Sequence, residues 1–159
     1  MNEVPITELA RLLAAANVPR WVGYGEPADG AEERIEAHFQ TRHLLAVYGT
    51  LAPGQPNHHV VAPLGGEWTD GVIEGDLFRV GWGAALGYPG FRPRTGGGEV
   101  AVKVLRTPAL EAAWPELDRF EGPGYRRILV PVFRPTGGRT LYTVANLYAA
   151  AEAGPPADP

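Results

Sequence analysis

The sequence has no cysteine among its 159 residues. This absence excludes disulfide bonds, thiolate nucleophiles and metal sites built on sulfur. Lys103 is the only lysine, so chemistry that needs an amine side chain is restricted to one position. A chain without cysteine is compatible with a cytoplasmic location, which we expect for this protein.

Long apolar runs and positive charge are also scarce. No stretch approaches the roughly 20 apolar residues that span a bilayer, and the N-terminal MNEVPITELARLL lacks a basic leader followed by such a run. The formal net charge is -4 and the pI is about 5.6, whereas a nucleic-acid surface needs clustered positive charge. We therefore expect an unexported protein with neither a membrane nor a nucleic acid as its partner.

Glycine and proline are abundant, with 21 and 16 residues. They separate short apolar runs, which predicts short strands joined by many turns. These runs are LLAVY, GVIEGDLFRV, EVAVKVL, RILVPVF and TVANLYA. Helical periodicity occurs in ITELARLLAAA, with Thr7 as a possible cap, in AEERIEAHF, and in PALEAAWPELDRFE, where Pro115 is expected to interrupt the helix. The pattern predicts an α+β domain with a small, strongly bent sheet or barrel and a few flanking helices.

The chain divides into three segments by composition. Residues 1–42 are helical and alanine-rich, which predicts an N-terminal helical extension that packs on the core or bridges to a partner. Residues 43–150 contain the strand-forming runs and are predicted to form the main domain. Residues 151–159, AEAGPPADP, have nothing to bury and are predicted to be a flexible tail.

The stretch VYGTLAPGQPNHH, residues 47–59, carries the first candidate site. Gly49 directly follows a strand that reads as buried, at a point where a side chain would obstruct either the turn or an approaching ligand. Successive backbone N–H groups in such a turn can form a concave site for a carboxylate or phosphate, and the Thr50 hydroxyl can add a hydrogen bond. The alternative is an ordinary turn at the end of a strand.

His58 and His59 invite a metal interpretation that the pattern does not favour. Neighbouring side chains on a strand point to opposite faces, and neither histidine has a further ligand at helical spacing. A metal site needs three or more convergent ligands. We therefore expect no metal here.

The stretch PELDRFEGPGYRRILVPV, residues 115–132, carries the second candidate site. Glu121 precedes Gly-Pro-Gly, so it lies where a helix must end, near the negative end of the helix dipole. This position disfavours the ionised form, and burial would raise the pKa of Glu121 further, making it a candidate base. The alternative is a surface glutamate, paired with Arg126 or Arg127.

The two stretches together resemble a known family. VYGTLAPG, followed far downstream by LDRFEGPGYRR and a strand, is similar to the γ-glutamyl cyclotransferase-like superfamily, particularly its small γ-glutamylamine cyclotransferase-type members. Between them, GDLFRV resembles that family's G-x-L strand, and LGYPGF resembles its aromatic-proline loop. The similarity covers about residues 43–150.

The resemblance implies a mixed, barrel-like α+β fold with one substrate site. The loop that would hold the substrate consists of Tyr48, Gly49, Thr50 and Leu51. Its N–H groups would bind the α-carboxylate of a γ-glutamyl group. Glu121 matches the glutamate of the family's L-D-x-x-E-G motif, where it is the general acid/base, and Tyr125 matches a tyrosine that lines the pocket or donates a hydrogen bond.

The reaction implied by the resemblance needs no cofactor. The substrate's α-amine attacks its own γ-carbonyl, which gives 5-oxoproline and releases the attached amine or amino acid. The expected partner is thus a small γ-glutamyl molecule. Two other functions stay open: a non-catalytic module that binds a small carboxylate or amine, and an interaction protein that acts through its N-terminal helices. Nothing in the sequence indicates an oligomeric state.

Overall fold

The computed structural model describes residues 5–79 and 89–154. In these ranges the chain forms three α-helices and six strands. In chain order they are α1 (Ile6–Val22), α2 (Ala31–Phe39), β1 (Leu44–Val47), β2 (Glu67–Arg79), β3 (Pro89–Pro93), β4 (Glu99–Arg106), α3 (Leu110–Glu121), β5 (Tyr125–Phe133) and β6 (Leu141–Ala150). None of the helices in the described part of the chain has the length and apolar character to cross a membrane.

The strands form a closed barrel with one strand added at its side. The sheet order is β3-β2-β4-β1-β6-β5, and a pairing of Val72 in β2 with Phe133 in β5 closes the ring. β1 pairs in parallel with β6, whereas the other pairings are antiparallel. The predicted α+β fold with a small mixed barrel is confirmed.

Strand β2 bends so that it can serve two partners. It pairs with β4 over residues 67–74 and with β3 over residues 75–79. Gly75 lies at the changeover, where a β-carbon would be 2.2 Å from the carbonyl oxygen of Arg92. Only glycine permits this close approach of two backbones, which lets β3 leave the barrel wall.

Strand β1 is buried on both faces. Leu44 and Ala46 point into the barrel, where they pack with alternate residues of β4, β5 and β6. Leu45 and Val47 pack on the outside against α3. The continuous apolar run LLAV is therefore explained by one face in the barrel and the other under a helix. This packing fixes the end of β1 next to the end of α3.

The first two helices cover the outer face of β5 and β6. Leu129 and Val144, which point away from the barrel interior, are buried against Leu12 of α1 and Ile35 of α2. The alternation in RRILVPVF predicts one core-facing side for β5, but α1 buries the opposite side as well. Residues 6–39 are thus part of the packed structure.

Two local expectations about the helices are wrong. Helix α1 begins at Ile6 and has Pro5 as its N-cap residue with no side-chain cap bond, so Thr7 lies inside the first turn and does not cap the helix. Helix α3 continues through Pro115 without interruption. The buried Leu110, Trp114 and Leu117 hold both halves of α3 on the barrel, which offsets the one hydrogen bond that proline removes.

The predicted flexible tail lies partly outside the described residues. Residues 151–153 form a 3₁₀ turn after β6, and Ala153 packs against the core. Residues 155–159 are not described, and neither are residues 86–88 of the LGYPGF segment.

Truncation of Leu12 is expected to lower the free energy of unfolding by about 2–5 kcal/mol, because Leu12→Ala leaves a cavity between α1 and the barrel. Leu12 is 1% exposed. Urea denaturation measures the change. Val18, on the same helix, is 56% exposed, and Val18→Ala is expected to change stability by less than about 0.5 kcal/mol. Equal effects of the two substitutions would contradict the packing of α1.

Candidate functional site

A cavity of about 310 Å³ lies where β1 ends beside the C-terminus of α3. Its wall combines the loop after β1, the last turn of α3 and the adjoining ends of β3, β5 and β6. The lining residues are Ala46, Val47, Tyr48, Gly49, Thr50, Leu51, Asn57, Pro89, Phe120, Glu121, Tyr125 and Tyr148. All six residues that the sequence singled out therefore border one cavity.

The loop after β1 uses its carbonyl groups internally. The carbonyl oxygens of residues 49, 50 and 51 accept hydrogen bonds from Ala52 N at 3.1 Å, Asn57 N at 2.9 Å and His58 Nδ1 at 2.9 Å. The N–H groups of the same three residues donate to no partner within the described ranges. Three successive amide donors are thus available to a ligand, as a backbone anion site requires.

The side chain of Asn57 adds to this loop. Its Nδ2 donates to the Thr50 Oγ1 at 3.0 Å, and Asn57 itself lines the cavity. Because Thr50 accepts this bond, its own hydroxyl hydrogen remains available as a further donor to a ligand. The loop therefore presents donors from both backbone and side chain.

The backbone conformation of Gly49 does not require glycine. Its φ lies outside the left-handed region that favours glycine. A β-carbon at Gly49 would stand 3.5 Å from Pro89 Cγ, and Pro89 also lines the cavity. The turn therefore does not need glycine, and a side chain here would project toward Pro89 in the cavity wall with only an ordinary contact for its first carbon.

Glu121 is the last residue of α3, and its side chain is half-buried in the cavity wall. It makes no hydrogen bond or ion pair with another described residue. Arg127 pairs with Asp118 at 2.9 Å instead, and Arg126 Nε donates to the Trp21 carbonyl at 3.2 Å. The alternative in which Glu121 is neutralised by either arginine is therefore wrong.

Burial raises the pKa of Glu121 to about 7. The cause is the removal of the carboxyl from water, which disfavours the charged form. At neutral pH the protonated and ionised forms of Glu121 are then similarly populated. A carboxyl group in this state can both accept and donate a proton near pH 7.

The buried carboxyl makes stability depend on pH in a defined direction. Because the pKa of Glu121 is raised in the folded state to about 7, the unfolded chain releases the proton first as pH rises, and stability falls between about pH 4.5 and pH 7. Glu121→Gln removes this cost. We expect the variant to match the wild type near pH 4 and to exceed it by about 2–3 kcal/mol at pH 8.

Urea denaturation of both proteins at pH 4, 6 and 8 measures this difference. Glu116→Gln, on the same helix at an 84% exposed side chain, is the matched control and should show no such pH dependence. A Glu121→Gln advantage that does not grow with pH would contradict the burial of Glu121.

Three tyrosines line the same cavity, and the hydroxyl of each donates to the protein. Tyr48 donates to the carbonyl of Tyr148 at 2.6 Å, Tyr125 to the carbonyl of Pro89 at 2.9 Å, and Tyr148 to the Asp118 Oδ1 at 2.7 Å. Burial raises the pKa of Tyr48 and of Tyr148, so both stay protonated. Toward a ligand, these oxygens can therefore act only as acceptors.

The two histidines serve the loop. The centre of the His58 ring lies 5.6 Å from that of Trp68. Because a carbonyl oxygen can only accept a hydrogen bond, the Nδ1 of His58 that bonds the Leu51 carbonyl must carry a hydrogen. His59 contacts the carbonyl of Pro56 at 3.2 Å. Over residues 5–79 and 89–154, no cluster of three or more histidine, aspartate or glutamate side chains has metal-binding geometry.

Sequence reasoning missed several residues of the cavity wall. Asn57 directly precedes the two histidines, and a polar amide side chain in a turn-rich loop could have indicated a hydrogen-bonding role there. Tyr148 gave no signal, because it sits within an apolar strand and faces the cavity only after β6 pairs with β1. Pro89 and Phe120 likewise contribute through tertiary placement.

The barrel with this cavity has a counterpart among known families. The family model described as "Gamma-glutamyl cyclotransferase, AIG2-like" matches residues 45–158. The chain belongs to this family, which confirms the resemblance seen in its motifs. The comparison with curated proteins gave no match.

Solved structures agree with the fold. YkqA from Bacillus subtilis is 26% identical with a TM-score of 0.51; the match covers 68% of this chain but only 35% of YkqA. A solution structure of an Arabidopsis thaliana protein is 26% identical with a TM-score of 0.50, covering 74% of this chain and 72% of that one. An AIG2-like protein from Mus musculus has a TM-score of 0.53 at 22% identity, covering 71% and 80%, and supports the fold alone.

Proposed function

We propose that this protein is a γ-glutamyl cyclotransferase that releases 5-oxoproline from a small γ-glutamyl substrate. One observation carries the proposal: the carboxyl of Glu121, which has no partner among the described residues, and the amide donors of residues 49–51 border the same cavity. A cavity of about 310 Å³ is at the lower end of the range for small-molecule sites. Family membership is consistent with this activity.

The donors and acceptors of the residues that line the cavity suit the two charges of a glutamyl group. The α-carboxylate would accept hydrogen bonds from the N–H groups of residues 49–51 and from the Thr50 hydroxyl. The α-ammonium would face acceptors, namely the carboxylate of Glu121 and the oxygens of Tyr125 and Tyr148. Donors for the carboxylate and acceptors for the ammonium would together fix the orientation of the substrate.

The chemistry is an internal acyl transfer. Glu121 takes one proton from the α-ammonium, and the freed amine attacks the γ-carbonyl carbon, forming the new C–N bond. The tetrahedral intermediate then collapses as the bond from the γ-carbon to the leaving nitrogen breaks. Glu121 returns its proton to that nitrogen and then carries the second proton of the attacking nitrogen to it as well. The products are therefore 5-oxoproline and the leaving group in its ammonium form, and the Glu121 carboxylate is regenerated.

Most of the barrier reduction comes from orientation. Nucleophile and electrophile belong to one molecule, so the protein has to hold the glutamyl chain bent, with the reacting atoms about 3–3.5 Å apart. The anchored carboxylate and ammonium restrict the chain to such conformations. Proton transfer by Glu121 contributes roughly a further 10²–10⁴-fold.

The direct test is release of 5-oxoproline from γ-glutamyl amines and γ-glutamyl dipeptides by the purified protein. We expect release that depends on enzyme concentration, together with one equivalent of the amine. The α-N-acetylated form of the same substrate cannot cyclise and is the matched control. No release from any member of the panel by folded protein would contradict the proposal.

The pH dependence of kcat/KM follows from the raised pKa of Glu121, which is about 7. The free enzyme must hold Glu121 ionised to accept the proton, so kcat/KM should fall about tenfold per pH unit below this pKa and level off above it. Initial rates at low substrate concentration from pH 5 to pH 8.5 measure the profile. A rate that is independent of pH across this range would contradict the role of Glu121 as base.

A further inference from the structure

A carboxylate that is not part of the cavity wall binds the hydroxyl of Tyr148, a residue that lines the cavity. Asp118 lies one turn before Glu121 on α3 and is not part of the cavity wall. Its Oδ1 accepts the hydroxyl hydrogen of Tyr148 at 2.7 Å. Asp118 is held in turn by Arg127, through Nε to Oδ1 at 2.9 Å and Nη2 to Oδ2 at 3.3 Å.

Arg127 is fixed more firmly than a surface arginine. Its guanidinium lies 4.4 Å from the centre of the Trp114 ring, and its Nη1 donates to the Asn146 Oδ1 at 3.2 Å. Asn146 is buried and also accepts a bond from Arg20 of α1 at 2.8 Å. Stacking and two-point pairing leave the guanidinium little freedom, so the arginine holds Asp118 in one orientation.

The orientation of Asp118 decides which way the Tyr148 hydroxyl points. While the carboxylate accepts its hydrogen, the Tyr148 oxygen can offer a ligand only lone pairs. Because the same Oδ1 accepts from both Tyr148 and the Arg127 Nε, an asparagine oxygen could take its place. Asp118→Ala instead removes the acceptor altogether, which frees the hydroxyl hydrogen. The cavity would then present a donor where an ammonium needs an acceptor.

We propose that Asp118 and Arg127 are positioning residues that hold the Tyr148 hydroxyl as an acceptor for the substrate's α-ammonium. This inference rests on the proposed function, which places the substrate's α-ammonium beside Glu121, Tyr125 and Tyr148. Asp118 acts through Tyr148 and touches no substrate atom. The pair therefore selects ligands with a free α-amine over ligands that lack one.

Binding measurements with two matched ligands test the proposal. One is a γ-glutamyl amine, and the other is its counterpart without the α-amine, a glutaric acid monoamide. Asp118→Ala is expected to weaken the first roughly 10- to 100-fold, as for loss of a hydrogen bond to a charged group, and to leave the second unchanged. Calorimetry gives both dissociation constants, and kcat/KM should follow the first.

A double-mutant cycle separates positioning from a general structural effect. In a Tyr148→Phe background, Asp118→Ala should add no further loss, because the hydroxyl that Asp118 positions is absent. Glu116→Ala is the matched control, since it also replaces a carboxylate by a methyl group on the same helix, at an exposed side chain. Urea denaturation of each variant at the assay pH verifies that it is folded.

Losses that add in the double variant, or that are equal for both ligands, would overturn the positioning role. So would a wild-type protein that binds neither ligand. If the wild type binds the amine-bearing ligand and discriminates through Asp118 but releases no 5-oxoproline, the cyclisation is contradicted while the positioning role stands. If 5-oxoproline is released and Asp118→Ala leaves that release unchanged, the positioning role is contradicted while the cyclisation stands.

Discussion

Glu121→Gln is expected to lower kcat by roughly 10²–10⁴-fold, because glutamine cannot accept the proton of the substrate's ammonium. The amide keeps the size of the side chain, and the donors of residues 49–51 are unchanged. Binding of the α-carboxylate should therefore survive, so the dissociation constant is expected to change much less than kcat. Steady-state kinetics and calorimetry with the same γ-glutamyl amine measure the two quantities.

This variant also separates the enzyme from a non-catalytic binding module. A module that uses Glu121 only to pair an amine would lose affinity and would have no turnover to lose. Glu116→Gln, with its side chain in solvent on the same helix, should leave both kcat and affinity unchanged. Unaltered turnover in Glu121→Gln would remove the general-base assignment.

Gly49→Val is expected to reduce kcat/KM by roughly a hundredfold, as for a displacement of bound substrate by about 1 Å. The φ of Gly49 lies outside the left-handed region, so valine does not strain the backbone. Its branches would instead fill the space toward Pro89, whose Cγ stands 3.5 Å from the position of a β-carbon. Kinetics with a γ-glutamyl amine measure the loss.

The size of the side chain at this position provides an internal control. Gly49→Ala should give an intermediate loss, since its single methyl group makes only an ordinary contact with Pro89. The free energy of unfolding of both variants should remain close to that of the wild type. A loss of activity that tracks loss of stability would show that Gly49 serves the fold and not the ligand.

The barrel and its helices were largely predictable because they depend on local patterns. Short apolar runs separated by glycine and proline indicate strands, and LLAV is apolar throughout because both of its faces are covered. The burial of both faces of β5 was not predictable, since the cover over Leu129 comes from α1, more than a hundred residues earlier in the chain. The sequence carries no local mark of that contact.

The candidate site was likewise predictable where it depends on local motifs, and not where it depends on contacts between distant segments. The motifs around Gly49 and Glu121 identify positions, but their shared cavity exists only because β1 packs against α3 and pairs with β6. The sequence also did not show which carboxylate Arg127 would pair with. Arg127 was a plausible partner for Glu121, yet it pairs with Asp118. That exchange leaves Glu121 without an ion pair among the described residues, which is the condition for its raised pKa.

A crystal structure with bound 5-oxoproline tests the central claim most directly. We predict that the product's carboxylate lies within hydrogen-bond distance of the N–H groups of residues 49–51, with the ring nitrogen facing the Glu121 carboxyl. Product bound in the reverse orientation, or away from both groups, would contradict the claim.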